Sequence, residues 1–263
     1  MRISLIITTY NWPEALACVW KGVKQQTVMP DEIIIADDGS GQATLSLIDI
    51  IKTNSIVPVI HVWQEDKGFR RTSILNKAIA ATSGDYIIQI DGDAIPECHF
   101  IEDHKFMAQE GCFVCGSRVK LGIKESEMIF SGKKNIVKIQ NLSIAYFLNS
   151  FRNRALSRYF AFRYAQKNIG KLRGCNMAYW KKDIIKVNGY NENIVGWGQE
   201  DSELAYRLYF SGVRKKFLKM GAVVYHLWHN ECSKESVPKN MGEMQRVIDT
   251  KSSFCENGIN KYL

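Results

Sequence analysis

Asp91-Gly92-Asp93 follows a short apolar run, Tyr86 to Ile90, and sets two carboxylates one residue apart. Asp and Gly are poor strand formers, so the run must stop there. A carboxylate pair at the carboxyl end of a buried strand suits a hard divalent cation, and Mg²⁺ or Mn²⁺ in such a place also holds phosphate oxygens. The chemistry this points to is that of a phosphorylated or nucleotide-linked substrate. By themselves the three residues also make an ordinary acidic turn, and alone they favour that plainer reading. A second group is Val195-Gly-Trp-Gly-Gln-Glu-Asp201. Its glycines let backbone approach a ligand, Trp197 offers a face to a sugar ring, and Glu200 and Asp201 open the helix that follows. Carboxylates also favour helix N-termini through the dipole, and Trp197 could be core. A third is His226-Leu-Trp-His229, two imidazoles at i and i+3 directly after the last strand pattern. His61, His99 and His104 are read as ordinary packing or surface histidines.

These groups need a frame. Ile3–Thr8, Glu32–Ala36, Val57–Trp63 and Asp85–Ile90 read as strands, and Glu14–Gln26, Ala43–Thr53 and Thr72–Thr82 as helices between them. Such alternation implies an α/β fold with a mainly parallel sheet in a three-layer sandwich, and ligands bind beyond the carboxyl ends of its strands. Thr8-Thr-Tyr-Asn11, Asp37-Asp38 and Asp91-Gly-Asp93 all fall at such ends. Further on, Gly174–Ala178 leads into a short helix near Lys181–Val187, and Asn188-Gly189-Tyr190 makes a turn. Glu200–Gly212 reads as a helix, Phe217–Met220 and Ala222–Tyr225 as short strands, and Met241–Thr250 as a final helix.

The chain has 263 residues and a formal net charge of +8, which suits an anionic partner. No apolar run is long enough for a transmembrane helix. The N-terminus reads as the first strand of a cytoplasmic protein rather than a signal peptide. Seven scattered cysteines read as buried free thiols, because Cys112-Phe-Val-Cys115 lacks a second pair to complete a zinc site. Much of the basic excess lies between Lys133 and Arg173. Within it, Asn149–Asn168 sets Arg152, Arg154, Arg158, Arg163 and Lys167 among Phe151, Leu156, Tyr159, Phe160, Phe162 and Tyr164. That stretch is either a patch for a membrane surface or anionic acceptor, or a solvated basic face whose aromatics pack on the core. The second is the preferred reading.

Thr8-Thr-Tyr-Asn, Asp37-Asp-Gly-Ser, Asp91-Gly-Asp and Gly196-Trp-Gly-Gln-Glu-Asp, in this order, resemble an inverting family 2 glycosyltransferase of the GT-A fold. From Arg173-Gly-Cys-Asn-Met through Asn188-Gly-Tyr to Glu200-Asp201 the chain also resembles the catalytic half of β-1,4-galactosyltransferases. The resemblance implies one domain. Its nucleotide-sugar-binding half would be 1–124, a basic helical insert 125–170, and the acceptor-binding and catalytic half 171–263. It implies donor contacts from Thr8, Tyr10, Asn11, Asp38, Arg71, Asp91, Gly92 and Asp93, with Arg71 meeting the diphosphate. It implies metal ligation by Asp93 and by His226 or His229, with Asp91 on the ribose side or the metal. Gly196, Trp197 and Glu200 would hold the acceptor, and Asp201 would be the base. The partners implied are Mn²⁺ or Mg²⁺, a nucleotide-diphosphate sugar, UDP-linked above others, and a saccharide or lipid-linked saccharide acceptor of a surface glycan. Peripheral contact with an anionic membrane fits the basic stretch; nucleic acid is not implied.

One base and no enzyme nucleophile imply a single displacement with inversion. Glu200 and Asp201 are neighbours, whereas glycoside hydrolases set two carboxylates across the bond, which disfavours hydrolysis. A nucleotidyltransferase would carry a Gly-rich phosphate loop near the N-terminus, absent here. A non-catalytic glycan- or membrane-binding module would have lost the acids that this chain keeps.

Overall fold

The computed structural model describes residues 1–133, 144–163 and 169–263. Strand and helix alternate as the apolar pattern requires: β1 (Ile3–Thr9), α1 (Pro13–Val23), β2 (Glu32–Asp37), α2 (Gln42–Thr53), β3 (Val59–Trp63), α3 (Arg71–Ala81) and β4 (Tyr86–Asp91). The four strands are parallel in the order β3-β2-β1-β4. The central strands are apolar throughout because both faces are covered. Ile3, Leu5 and Ile7 of β1 and Ile33 and Ile35 of β2 enter one core with Leu16 and Val19 of α1 and Ile48 and Ile51 of α2. Ile6, Ile34 and Ile87 enter the other with Ile74, Leu75 and Ile79 of α3. The three layers and the parallel half are therefore as expected. Strand order reverses between β1 and β4, and their carboxyl ends border the crevice where open α/β sheets bind ligands.

Beyond β4 come β5 (Ala94–Pro96), α4 (Phe100–Met107), β6 (Cys112–Gly116), β7 (Arg118–Lys120), α5 (Ile123–Phe130), α6 (Ile144–Ser150) and α7 (Arg154–Phe160). They are followed by β8 (Asn176–Trp180), α8 (Lys181–Lys186), α9 (Glu200–Phe210), β9 (Arg214–Leu218), β10 (Val224–His226) and α10 (Val237–Thr250). The large sheet continues β4-β8-β6-β9, with β8 antiparallel to both its neighbours and β9 parallel to β6. A small sheet, β5-β10-β7, stands beside it.

The second half differs from the sequence reading in three places. Gly174–Ala178 does lead to the short helix expected near Lys181–Val187, but a strand that was not expected, β8, begins within it and joins the two halves of the sheet. The strands expected at Phe217–Met220 and Ala222–Tyr225 are instead β9, from Arg214, and β10, ending on His226. Lys215 and Lys216 make β9 look like surface, yet both are buried. Their ammonium groups donate to the carbonyls of Ile169 and Lys171, and of Met107. Left-handed backbone at Met220 (φ 62°) and Ala222 (φ 42°) then breaks any strand between them. Third, the aromatic and aliphatic side chains of the basic stretch do not all pack on the core: Phe151, Leu156 and Tyr159 are exposed, while Phe160 and Phe162 are half-buried. Tyr164 and Lys167 lie outside the described residues. Both cysteines of Cys112–Cys115 are buried free thiols.

Candidate active site

β1 and β4 end side by side. Thr8 and Asp91 are register partners, and Thr8 Oγ1 donates to Asp91 Oδ1 at 3.1 Å. A side chain at Gly92 would meet the Thr8 carbonyl at 2.4 Å, so only glycine lets the chain leave β4 here. The chain enters β5, against which β10 runs antiparallel with His226 opposite Ala94, and Leu227 N donates to Asp93 O at 2.9 Å. This register brings His226 Nε2 to 3.6 Å and His229 Nε2 to 3.2 Å from the Asp93 carboxylate. One donor atom from each of the three residues lies within 4.8 Å of the others.

The surroundings set the state of these donors. His226 Nδ1 lies 2.9 Å from the Leu227 carbonyl and His229 Nδ1 2.6 Å from that of Asn230. A carbonyl only accepts, so each Nδ1 carries a proton and each Nε2 is the nitrogen turned toward Asp93. Burial, and then the nearby Arg118, lowers His226 to about 4 and keeps it neutral. Burial, and then Asp91, raises Asp93 to about 7. Asp93 Oδ1 is buried and accepts no hydrogen bond among the described residues. Two imidazoles and an unsatisfied carboxylate oxygen fit a divalent cation. Asp91 stands outside this set and faces Arg71.

Arg71, the first residue of α3, joins three acids. Its Nη2 is 2.8 Å from Asp91 Oδ1, and its Nη1 is 3.2 Å from Asp201 Oδ1 and 3.4 Å from Glu200 Oε1. Burial opposes its charge, but Asp201, Asp91 and Glu200 hold the guanidinium well above its ordinary range. Asp91, which burial would raise, is held below the usual carboxylate range by Arg71. Burial, and then Asp201, raises Glu200 to about 7. Glu200 and Asp201 head α9 after a loop with positive φ at Gly196, Gly198 and Gln199, and Glu200 Oε2 accepts from Gly198 N at 3.1 Å.

Asp201 is supported from beneath. The buried Tyr190 hydroxyl lies 3.1 Å from Asp201 Oδ1 and 3.0 Å from Gln89 Oε1, which also accepts from Tyr179. Oδ2 of Asp201 has no hydrogen-bond partner among the described residues. A Cβ at Gly174 would lie 1.6 Å from that oxygen.

The acids, the histidines and Arg71 line one open cleft of about 740 Å³, with Tyr190, Gln89 and Tyr179 buried behind it. Thr8, Tyr10, Asp38, Arg71, Asp91, Gly92, Asp93, Trp197, Glu200, Asp201, His226 and His229 border it; Asn11 and Gly196 do not. Asn11 braces the turn before α2 instead, taking Ser40 Oγ as acceptor for its N–H and accepting from Gly41 N. Gly196 packs against Ser236, whose Oγ a Cβ would approach to 2.2 Å. Buried Asp38 accepts from Gln64 Nε2 and from Arg70 N, so it also fixes the entry to α3.

The sequence reading gave no role to Tyr190, Gly174 or Arg118. Positive φ at Asn188 (65°) and Gly189 (68°) drives the turn that turns Tyr190 inward, so the turn signal marked the place but not its purpose. Arg118 has no local signal at all. It lines the cleft, and its Nε is buried without a hydrogen bond among the described residues. Its guanidinium makes no ion pair among the described residues; its Nη1 lies 4.0 Å from Cys175 Sγ, and its charge is felt by His226 and Asp93.

The sequence profile of Glycosyl transferase family 2 matches residues 4–186, and one described as the N-terminal domain of galactosyltransferase matches residues 154–230. Chondroitin synthase of Escherichia coli is 25% identical over 244 residues, covering 85% of this chain and 34% of that protein. An O-antigen chain rhamnosyltransferase of Salmonella typhimurium is 38% identical over 100 residues, 36% of this chain and 29% of that one. The chain thus spans about a third of the length of these relatives. Among solved structures, Staphylococcus aureus TarS 1–349 in complex with UDP superposes with a TM-score of 0.66 at 15% identity, covering 94% of this chain and 65% of that one. A mannosyltransferase of Pyrobaculum calidifontis in complex with GDP-Man and Mn²⁺ gives 0.62 at 15% identity, covering 94% and 64%. The shared fold is GT-A.

Proposed function

The chain belongs to glycosyl transferase family 2, and on that premise we propose that it moves a hexose or N-acetylhexosamine from a nucleoside diphosphate sugar to a saccharide hydroxyl, with inversion. The observation that carries this is Arg71. One guanidinium holds Asp91 at the sheet edge and Asp201 at the head of α9, so the donor side and the acceptor side of the cleft are fixed to each other. TarS is solved with UDP and with UDP-GlcNAc, which supports a UDP-sugar here. The chondroitin synthase relative supports a surface polysaccharide, free or lipid-linked, as acceptor. Residues 1–124 would carry the donor and residues 171–263 the acceptor, with the insert 125–170 between them.

In the proposed reaction, the acceptor oxygen attacks the anomeric carbon from the face opposite the diphosphate. The bond from that carbon to the β-phosphate oxygen breaks, and its electron pair leaves with the nucleoside diphosphate. The hydroxyl proton passes to Asp201 Oδ2, the oxygen with no other partner. An α-linked donor gives a β-linked product. Asp93, His226 and His229 would hold a divalent cation, for which two imidazoles favour Mn²⁺ over Mg²⁺; when bound, it neutralises charge on the leaving diphosphate. Arg71 is held by carboxylates, so Arg118 is the guanidinium we assign to the diphosphate. Thr8, Tyr10 and Asp38 line the nucleoside end, and Asn11 braces it. Trp197, 43% exposed, offers its face to the acceptor sugar beside Glu200.

Asp201→Asn keeps the shape and removes the basic oxygen. Transfer is expected to fall by about 10²–10⁴, while UDP and Mn²⁺ still bind by calorimetry. Turnover equal to the parent's would overturn the assignment of the base.

A further inference from the structure

We propose that the surface formed by α5, α6 and α7 beside the metal-side rim of the cleft docks the protein onto an anionic lipid surface. The first observation is a helix facing the wrong way for a globular protein. Ile144, Phe147, Leu148 and Phe151 recur at i, i+3, i+4 and i+7, one stripe along α6 and the residue just after it. They are 80%, 49%, 66% and 44% exposed. The opposite side turns inward: Ser150 is buried and Tyr146 packs against the core, its hydroxyl accepting from Gly122 N at 3.3 Å. In a surface helix the apolar stripe normally faces the core. Leu156 and Tyr159 of α7, and Ile123 and Phe130 of α5, extend the exposed apolar surface.

This surface adjoins the cleft. Trp228 N donates to Ser126 Oγ of α5 at 2.9 Å, and Phe130 packs on Trp12 with ring centroids 6.1 Å apart. Trp12 and Trp228 both line the cleft. A bound lipid surface would therefore lie beside the metal-side rim of the cleft.

Charge selects the partner. Residues 128–173 contain ten Lys and Arg and no Asp or Glu, while α5 before them carries Glu125 and Glu127 beside Lys124. Arg152 and Arg154 are paired with Glu102 and Asp103. Arg158 and Arg163 are exposed, the latter stacked 4.4 Å over the Tyr159 ring. Around α6 and α7 the exposed apolar side chains are flanked by arginines, which matches the interface of an anionic bilayer. A second copy of this chain fits poorly, because a two-fold contact would set the same basic field against itself. No helix among the described residues is long and apolar enough to cross a membrane, so the contact would be peripheral.

Co-sedimentation with phosphatidylcholine vesicles, with and without phosphatidylglycerol, tests this without donor or acceptor, so its failure leaves the transfer reaction untouched. Binding is expected only to the anionic vesicles, and weakened about tenfold or more when salt rises from about 0.05 to 0.5 M. Phe147→Ser with Leu148→Ser, and separately Arg158→Glu with Arg163→Glu, should each lower vesicle affinity about tenfold or more. Both pairs are exposed, and UDP binding should stay unchanged as a check on folding. Absence of binding by the parent, or equal binding by both variants, would overturn the proposal. So would a concentration-dependent dimer, dissolved by the Phe147 and Leu148 changes, with no affinity for vesicles.

Discussion

A methyl group at position 174 would lie 1.6 Å from Asp201 Oδ2, so the proposed base occupies space that only glycine leaves open. Gly174→Ala must therefore push the carboxylate aside. A displacement near 1 Å costs about 10²-fold in a positioned reaction; transfer should fall by that order while UDP binding and the circular dichroism spectrum stay as in the parent. Arg118 and Arg71 separate in the same way. Arg118→Ala removes a guanidinium with no ion pair among the described residues, so the donor KM should rise about tenfold with little change in Tm. Arg71→Ala leaves three carboxylates facing one another, and both activity and stability should fall. Equal losses of stability would refute the division of roles. Glu200 gives a pH signature. Its carboxyl, near 7 when folded, lies above the ordinary value of about 4.3. The folded state therefore holds the extra proton, and stability falls as pH rises between those values. Glu200→Gln has no such loss, so its stability relative to the parent should improve from pH 5 to pH 8, by roughly 1–3 kcal/mol. Urea titrations at the two pH values read this directly; a constant difference would contradict it.

At the scale of elements, α9 links the proposed base, Asp201, to its support. Arg207 and Glu203 are both fully buried and paired at 2.7 Å within this helix, and Arg207 Nη1 donates to the Val187 carbonyl at 2.6 Å. Val187 stands just before the Asn188-Gly189 turn that delivers Tyr190 to Asp201. Arg207→Leu leaves the Glu203 charge buried without its partner and should cost about 3–5 kcal/mol by urea titration. A cost near zero would mean that Glu203 escapes to solvent. The same region shows what could be read from the sequence. β1, β2 and β4 were legible because each is an apolar run closed by polar residues, and with them Thr8, Asp38, Asp91 and Asp93 at their ends. β9 starts before its apolar residues because the buried ammonium groups of Lys215 and Lys216 donate to carbonyls of Ile169, Lys171 and Met107, remote in sequence. Both histidines were recognised as candidates, but their shared approach to Asp93 depends on the β5–β10 register, which no local pattern encodes. The family resemblance implies Arg71 at the diphosphate, whereas its bonds to Asp91 and Asp201 span positions 20 and 130 residues away, which no local pattern encodes.

For the whole molecule, the cleft draws on separate parts of the fold: the β1–β4 edge, the small sheet and the head of α9. The folded chain keeps Asp93 Oδ1 buried with no hydrogen bond among the described residues, an arrangement that costs stability until something occupies the site. A cation with a nucleoside diphosphate would bind only the folded state and bridge these parts. At a ligand concentration of about 100 times Kd the gain is about 2.7 kcal/mol, which for a chain of this size corresponds to a Tm rise of roughly 5–10 °C. Mn²⁺ and UDP together should give that rise in a thermal melt, and chelation should reverse it. Asp93→Ala and His226→Ala should each abolish most of the rise. Asp93→Ala should also leave the ligand-free Tm unchanged or higher, because it removes a buried, unsatisfied carboxylate. A full rise from UDP with the metal chelated would place the binding energy elsewhere in the cleft and remove the role given to Asp93, His226 and His229.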